Sequence, residues 1–172
     1  MKGKELIRGL SGNAGVAIGT VKVINGDKTK ITQIKQGDVI IADKWADPSD
    51  DPYLMKGAAL VQNVGGLSNH GNIKSKSLGI PSIVGTIGVS GEEATKVLKD
   101  GQMVVVEGMA GYEDVKDKTG QLIKRPYGAI YEYIPDKAGL PPVKPSVSTP
   151  PPAGTPQKIS MADLMKKYNI KK

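Results

Sequence analysis

The sequence predicts a small α/β domain followed by a proline-rich linker and a short C-terminal helix. Three observations lead there. Short Val/Ile-rich runs bounded by Gly, Asp or Pro recur through the first 135 residues. Short stretches with helix-terminating or dipole-matching residues lie between them, and strands mixed with short helices indicate an α/β fold. From Pro135 the composition changes: eight of the twelve prolines fall at 135, 141, 142, 145, 150, 151, 152 and 156. The expected division is a domain over 1–135, a linker over 136–158 and a helix over 159–172.

Strands are expected at 16–24, 38–42, 59–63, 82–84, 102–107 and 128–134. Helices are expected at 50–57, 70–78 and 91–98. The second has Gly79 as a stop. The third has Glu92 and Glu93 in its first turn and Lys96 and Lys99 near its end, matching the helix dipole. Residues 108–125 are polar and charged and read as a solvated loop or hairpin insertion. The proline-rich stretch cannot pack a core and reads as an extended, semi-rigid linker. Beyond it, Ser160 is a helix cap with Asp163 at the reciprocal position, and Ile159 and Leu164 are spaced as a hydrophobic staple. Met161, Leu164, Met165 and Tyr168 make one apolar stripe. So short a helix is unstable alone. It folds onto its own domain, docks in a partner's groove, or is a plain tail.

Composition removes several function classes. Cysteine is absent, which excludes disulfides, thiolate metal sites and a cysteine nucleophile, and fits a cytoplasmic setting. A single histidine without cysteine does not build a usual zinc site. No apolar run approaches a membrane span, and Met1–Ile7 has no signal-peptide core. The net charge is +7, but residues from 136 onward carry +5 and the first 135 only +2. Nucleic-acid domains more often show a basic stripe interleaved with aromatics, so neither nucleic acid nor membrane is an expected partner. Gly85 to Gly91 lacks the Lys-Ser/Thr ending of a Walker phosphate loop.

The candidate site is Gly65-Gly66-Leu67-Ser68-Asn69-His70-Gly71. Imidazole is a good nucleophile toward phosphorus and the one side chain type that changes charge near neutral pH. Small residues allow close backbone approach. A helix starting at His70 would offer N–H donors to an anion.

The stretch from Ala58 to Gly85, with Gly65-Gly66, Ser68-Asn69-His70, Leu78-Gly79-Ile80-Pro81 and Ile83-Val84-Gly85, resembles the mobile phosphohistidine ("swivelling") domain of the phosphoenolpyruvate-utilising enzymes. That family includes pyruvate phosphate dikinase, phosphoenolpyruvate synthase and Enzyme I of the sugar phosphotransferase system. Gly15–Val23, Gly37–Ala42 with Asp47-Pro48 and Leu54-Met55, and Lys99–Val106 are similar to further family segments. The resemblance extends over roughly Leu6 to Tyr133. It implies a swivelling β/β/α-type sandwich, and it places the helix over 70–78, which Gly71, Asn72, Ser75 and Ser77 make intrinsically poor. There are departures: the family usually follows the histidine with Ala-Ala-Ile-Val-Ala-Arg-Glu, where this chain has Gly71-Asn72-Ile73-Lys74-Ser75-Lys76-Ser77. Lys76 replaces the arginine, losing its bidentate fork. Ala46 stands where a Thr often precedes Asp-Pro.

The resemblance implies that His70 is the phosphorylated nucleophile. Gly65, Gly66, Ser68, Asn69, Gly71 and Lys76 are then the phosphate-binding candidates, with Lys74 as a lesser one. Asn69 either orients the ring or caps the helix. No metal is expected on this chain and no cofactor of its own. ATP or phosphoenolpyruvate with Mg would sit on ATP-binding and acceptor-binding dikinase-like partners, docked through 159–172. The chain then acts either as a carrier subunit, which its start and capped C-terminal helix favour, or as one domain of a larger enzyme. The alternative is a non-catalytic interaction or regulatory module on the same fold.

Overall fold

The structure is a computed structural model that describes residues 2–135; the expected linker over 136–158 and helix over 159–172 lie outside the described residues. It is a mixed α/β fold with seven strands and few helices. The strands are β1 (Lys2–Asn13), β2 (Val16–Ile24), β3 (Val39–Ala42), β4 (Ala59–Gln62), β5 (Ser82–Val84), β6 (Met103–Lys116) and β7 (Leu122–Tyr133). The helices are α1 (Lys28–Thr32), α2 (Asp51–Leu54), α3 (His70–Leu78), α4 (Thr86–Ser90) and α5 (Ala94–Val97). A 3₁₀ turn, Pro48–Asp50, leads into α2.

The sheet closes into a barrel in the order β1-β5-β4-β3-β2-β6-β7, where the family resemblance implied a β/β/α-type sandwich. The closing element is β1. Its N-terminal part pairs with β7 (Ile7 with Ile130, Arg8 with Ala129) and its end pairs with β5 (Leu10 with Val84). One strand thus joins the two sheet edges and leaves neither open. β1 was absent from the expected strands because Gly3, Gly9, Gly12 and four charged residues dilute its period-two signal.

β2, β3, β4 and β5 are mutually parallel, whereas β6, β7 and β1 run antiparallel to their neighbours. Parallel strands need crossovers, and these carry the helices. β3 and β4 are buried on both faces, which explains their continuous apolar runs. Val39, Ile41, Ala59 and Val61 join Ala17, Val21, Ile83, Val104 and Ile130 in the interior. Ile40, Ala42 and Leu60 face outward onto Ile31, Trp45, Leu54 and Ile80.

The expected strand at 16–24 and helix at 70–78 match in their bounds. The 108–125 segment is not a solvated loop: β6 and β7 continue through it as an antiparallel ribbon, pairing Gly111 with Tyr127 through Lys116 with Leu122. Its charges pair across the strands, as in Glu113–Arg125 and Asp114–Lys124. The expected 91–98 helix shortens to Ala94–Val97, and 50–57 shortens to Asp51–Leu54. Among the described residues no helix is long and apolar enough to cross a membrane.

Candidate functional site

β3 and β4 end side by side, and the chain leaves both at the same rim. Ligand sites gather outside the carboxyl ends of parallel strands in closed α/β barrels and open α/β sheets alike. From β3 the chain runs through Trp45 to α2. From β4 it runs through the exposed 64–68 turn to α3.

α3 forms despite poor propensity because both ends are fixed. Asn69 is the N-cap: its side-chain oxygen accepts from the Asn72 N–H at 2.8 Å. Such a cap is worth about 1 kcal/mol. Gly79 ends the helix in the left-handed conformation at φ 72°. Within it, buried Asn72 donates to the Leu67 carbonyl at 2.7 Å and accepts from the Ser82 hydroxyl at 2.6 Å. Its polar residues thus replace the apolar stripe as the anchor.

His70 is the first residue of α3. Its side chain is 35% exposed, and Nε2 lies 3.0 Å from each carboxylate oxygen of Asp51, the first residue of α2. Asp51 is only 14% exposed and also accepts from the Trp45 indole N–H at 3.1 Å. Lys74 approaches the same carboxylate, Nζ to Oδ2 3.9 Å.

Trp45 organises this corner and is itself buried. Its backbone N–H donates to Gln62 Oε1 at 2.8 Å, and its carbonyl accepts from the Gly71 N–H at 3.0 Å. Gln62, at the end of β4, is fully buried and also accepts from the Asn69 amide at 3.1 Å. A Cβ on Gly71 would stand 2.7 Å from Trp45 Cβ and 3.0 Å from its carbonyl oxygen. The close approach of the backbone at Trp45 and of the Gln62 amide, 3.0 Å from that Cβ position, leaves room for no more than a glycine after the histidine.

The predicted site residues separate into groups. Gly65, Gly66 and Ser68 lie in the exposed turn beside His70. Gly65 has φ 111°, and a side chain there would collide with the Asn69 amide. Asn69 caps α3 and pairs with Gln62. Gly71 is buried and its N–H is engaged by Trp45, so its place is in the packing beneath the site rather than among donors open to a phosphoryl group. The cation beside His70 is Lys74, four residues on along the helix, not Lys76. Six residues turn Lys76 about 120° away from His70.

Asp51, Trp45 and Gln62 were not among the predicted site residues. The one available signal was the Asp51-Pro52 pair at a helix start, which repeats Asp47-Pro48 four residues earlier.

Residues 34–111 match the family model of the PEP-utilising enzyme, mobile domain. The chain is 40% identical over 110 residues to a probable phosphoenolpyruvate synthase of Archaeoglobus fulgidus, covering 64% of this chain and 14% of that protein. It is 39% identical over 110 residues to the phosphoenolpyruvate synthase of Aeropyrum pernix, covering 64% of this chain and 13% of that protein. It is 35% identical over 111 residues to the rifampicin phosphotransferase of Bacillus cereus, covering 64% of this chain and 12% of that protein. The aligned stretch is thus about one eighth of the length of these relatives.

Proposed function

Residues 34–111 match the mobile domain of the phosphoenolpyruvate-utilising enzymes, and on that premise we propose that the chain is a phosphoryl carrier whose nucleophile is His70. The observation that carries this reading is the placement of the only histidine of the sequence. It stands on the first turn of α3, partly exposed, at the rim where two parallel strands end.

The chemistry is two successive displacements. A ring-nitrogen lone pair of His70 attacks phosphorus of ATP or phosphoenolpyruvate held with Mg on a partner. An N–P bond forms, the P–O bond to the leaving group breaks, and that group departs with the electron pair. At a second site an acceptor attacks the same phosphorus, and the N–P electrons return to the ring. Gly65, Gly66 and Ser68 surround the phosphoryl position, and Lys74 supplies a positive charge there.

In this reading the partners are ATP-binding and acceptor-binding dikinase-like proteins. Residues 159–172 tether the carrier to them and raise its effective concentration at both sites.

The test is transfer of labelled phosphoryl from ATP or phosphoenolpyruvate, in the presence of the proteins that copurify with the chain. Acid-labile, base-stable label in wild type and none in His70→Ala is the expected result. Equal labelling of the variant, or no label from either donor, would sink the reading.

A further inference from the structure

We propose, resting on the carrier reading above, that Asp51 is a positioning residue that latches His70. Its carboxylate holds a proton on Nε2 and closes that nitrogen to phosphorus until the ring swings away.

Both Asp51 oxygens lie 3.0 Å from Nε2. An ionised carboxylate can only accept, so the shared hydrogen sits on Nε2. In neutral imidazole the in-plane lone pair is then on Nδ1. Nε2 in this pose is doubly unreactive: it has no lone pair to offer, and a negative charge occupies the space an anionic phosphoryl group would enter. Nε2 is also the nitrogen at the tip of the ring, further from the helix backbone than Nδ1. It is the position where a tetrahedral phosphoryl group is least crowded, so the latch covers the nitrogen best placed to react.

The mobile half of the contact is His70. Asp51 is fixed by the Trp45 indole N–H, and Trp45 is fixed in turn through Gln62 and Gly71. Lys74 offers the same carboxylate a replacement counter-charge at 3.9 Å. His70 is more exposed than Asp51 and has only its two side-chain torsions to turn. Release is therefore a rotation of one imidazole, with α2 and α3 unmoved. Once the ring is in solvent, Nε2 gives up its proton and Nδ1 takes one, so the proton count is unchanged. The Nε2 lone pair then forms the N–P bond while the donor's P–O bond breaks, and the leaving group carries off the electron pair.

The experiment uses the full chain and phosphoramidate, a small phosphoryl donor that needs no partner protein. Because His70 is the only histidine, nitrogen-15 NMR of the ring reports its tautomer without ambiguity. Wild type should carry the hydrogen on Nε2 and label slowly. Asp51→Asn, which keeps an oxygen for Trp45, and Asp51→Ala should both label about tenfold faster, the factor expected for releasing a charge-assisted hydrogen bond. Asp51→Glu should restore slow labelling. A wild-type Nε2 without hydrogen overturns the latch and requires no variant to fold. Labelling of both Asp51 variants at or below the wild-type rate overturns it as well. Failure of the carrier reading looks different: faster phosphoramidate labelling of the variants, with no label passing from ATP or phosphoenolpyruvate through copurified proteins, keeps the latch and removes the carrier.

Discussion

Nε2 of His70 and the carboxylate of Asp51 meet at 3.0 Å although 19 residues separate them. The contact ties α3 to α2, two helices that begin beyond the ends of adjacent parallel strands. Trp45, between β3 and α2, holds the arrangement from below.

His70→Ala should leave the fold intact. The side chain is partly exposed and lies on no core cluster, so the change in unfolding free energy should stay within about 1 kcal/mol. Acid-labile phosphorylation should vanish. Thermal unfolding and a labelling assay on the same preparation check both halves.

Gly71→Ala should destabilise, although alanine is the better helix former by about 1 kcal/mol. The added Cβ would sit 2.7 Å from Trp45 Cβ, and overpacking of this kind costs about 1–3 kcal/mol. Urea unfolding followed by the fluorescence of Trp45, the only tryptophan, gives the sign. A more stable variant would mean that Trp45 does not pack here as described.

Asn69→Ala removes both the cap on Asn72 and the bond to Gln62. The expected loss is about 0.5–2 kcal/mol. Amide hydrogen exchange should show the first turn of α3 losing protection before the barrel strands do.

Asp47 should shape the acid limb of stability. The Lys28 ammonium at 2.9 Å, helped by the Ser49 hydroxyl and N–H, holds its carboxyl well below the usual carboxylate range. A group lowered on folding stabilises at pH above its unfolded value, about 3.9. That contribution is lost as pH falls below this value toward the folded one. Asp47→Asn should therefore flatten stability between about pH 4 and pH 2 and leave its shape near neutral pH unchanged; because the same carboxylate helps to raise the Lys28 ammonium, the variant should also lose part of the stability that wild type sheds at strongly alkaline pH. Salt should shrink the effect, because the pair is exposed. Urea titrations at several pH values read the difference.

Deleting 136–172 should leave the melting temperature of the barrel nearly unchanged, since all seven strands of the closed sheet lie within 2–135. Transfer from a partner should slow. A large drop in melting temperature would mean that the tail packs as structure, and an unchanged transfer rate would remove its docking role.

By itself the sequence determined the mixed α/β class and the bounds of β2 and β5, and it marked His70, the one histidine, as the candidate site; the span of α3 came from the family resemblance, because its residues are poor helix formers. The strand signals and the histidine in its glycine-rich turn are local features, read from β-branched runs bounded by turn residues and from a single residue type. Tertiary structure decided what surrounds that histidine. Asp51, Trp45 and Gln62 meet His70 and Asn69 only because β3 and β4 pair in parallel register, Ala42 beside Gln62, and release their loops at one rim. No local propensity encodes that meeting. That Lys74 rather than Lys76 lies near the Asp51 carboxylate follows from helix phase once His70 is fixed at the first position. Barrel closure was equally out of reach, because β1 is held by pairing with two strands far along the chain and has no hydrophobic alternation of its own.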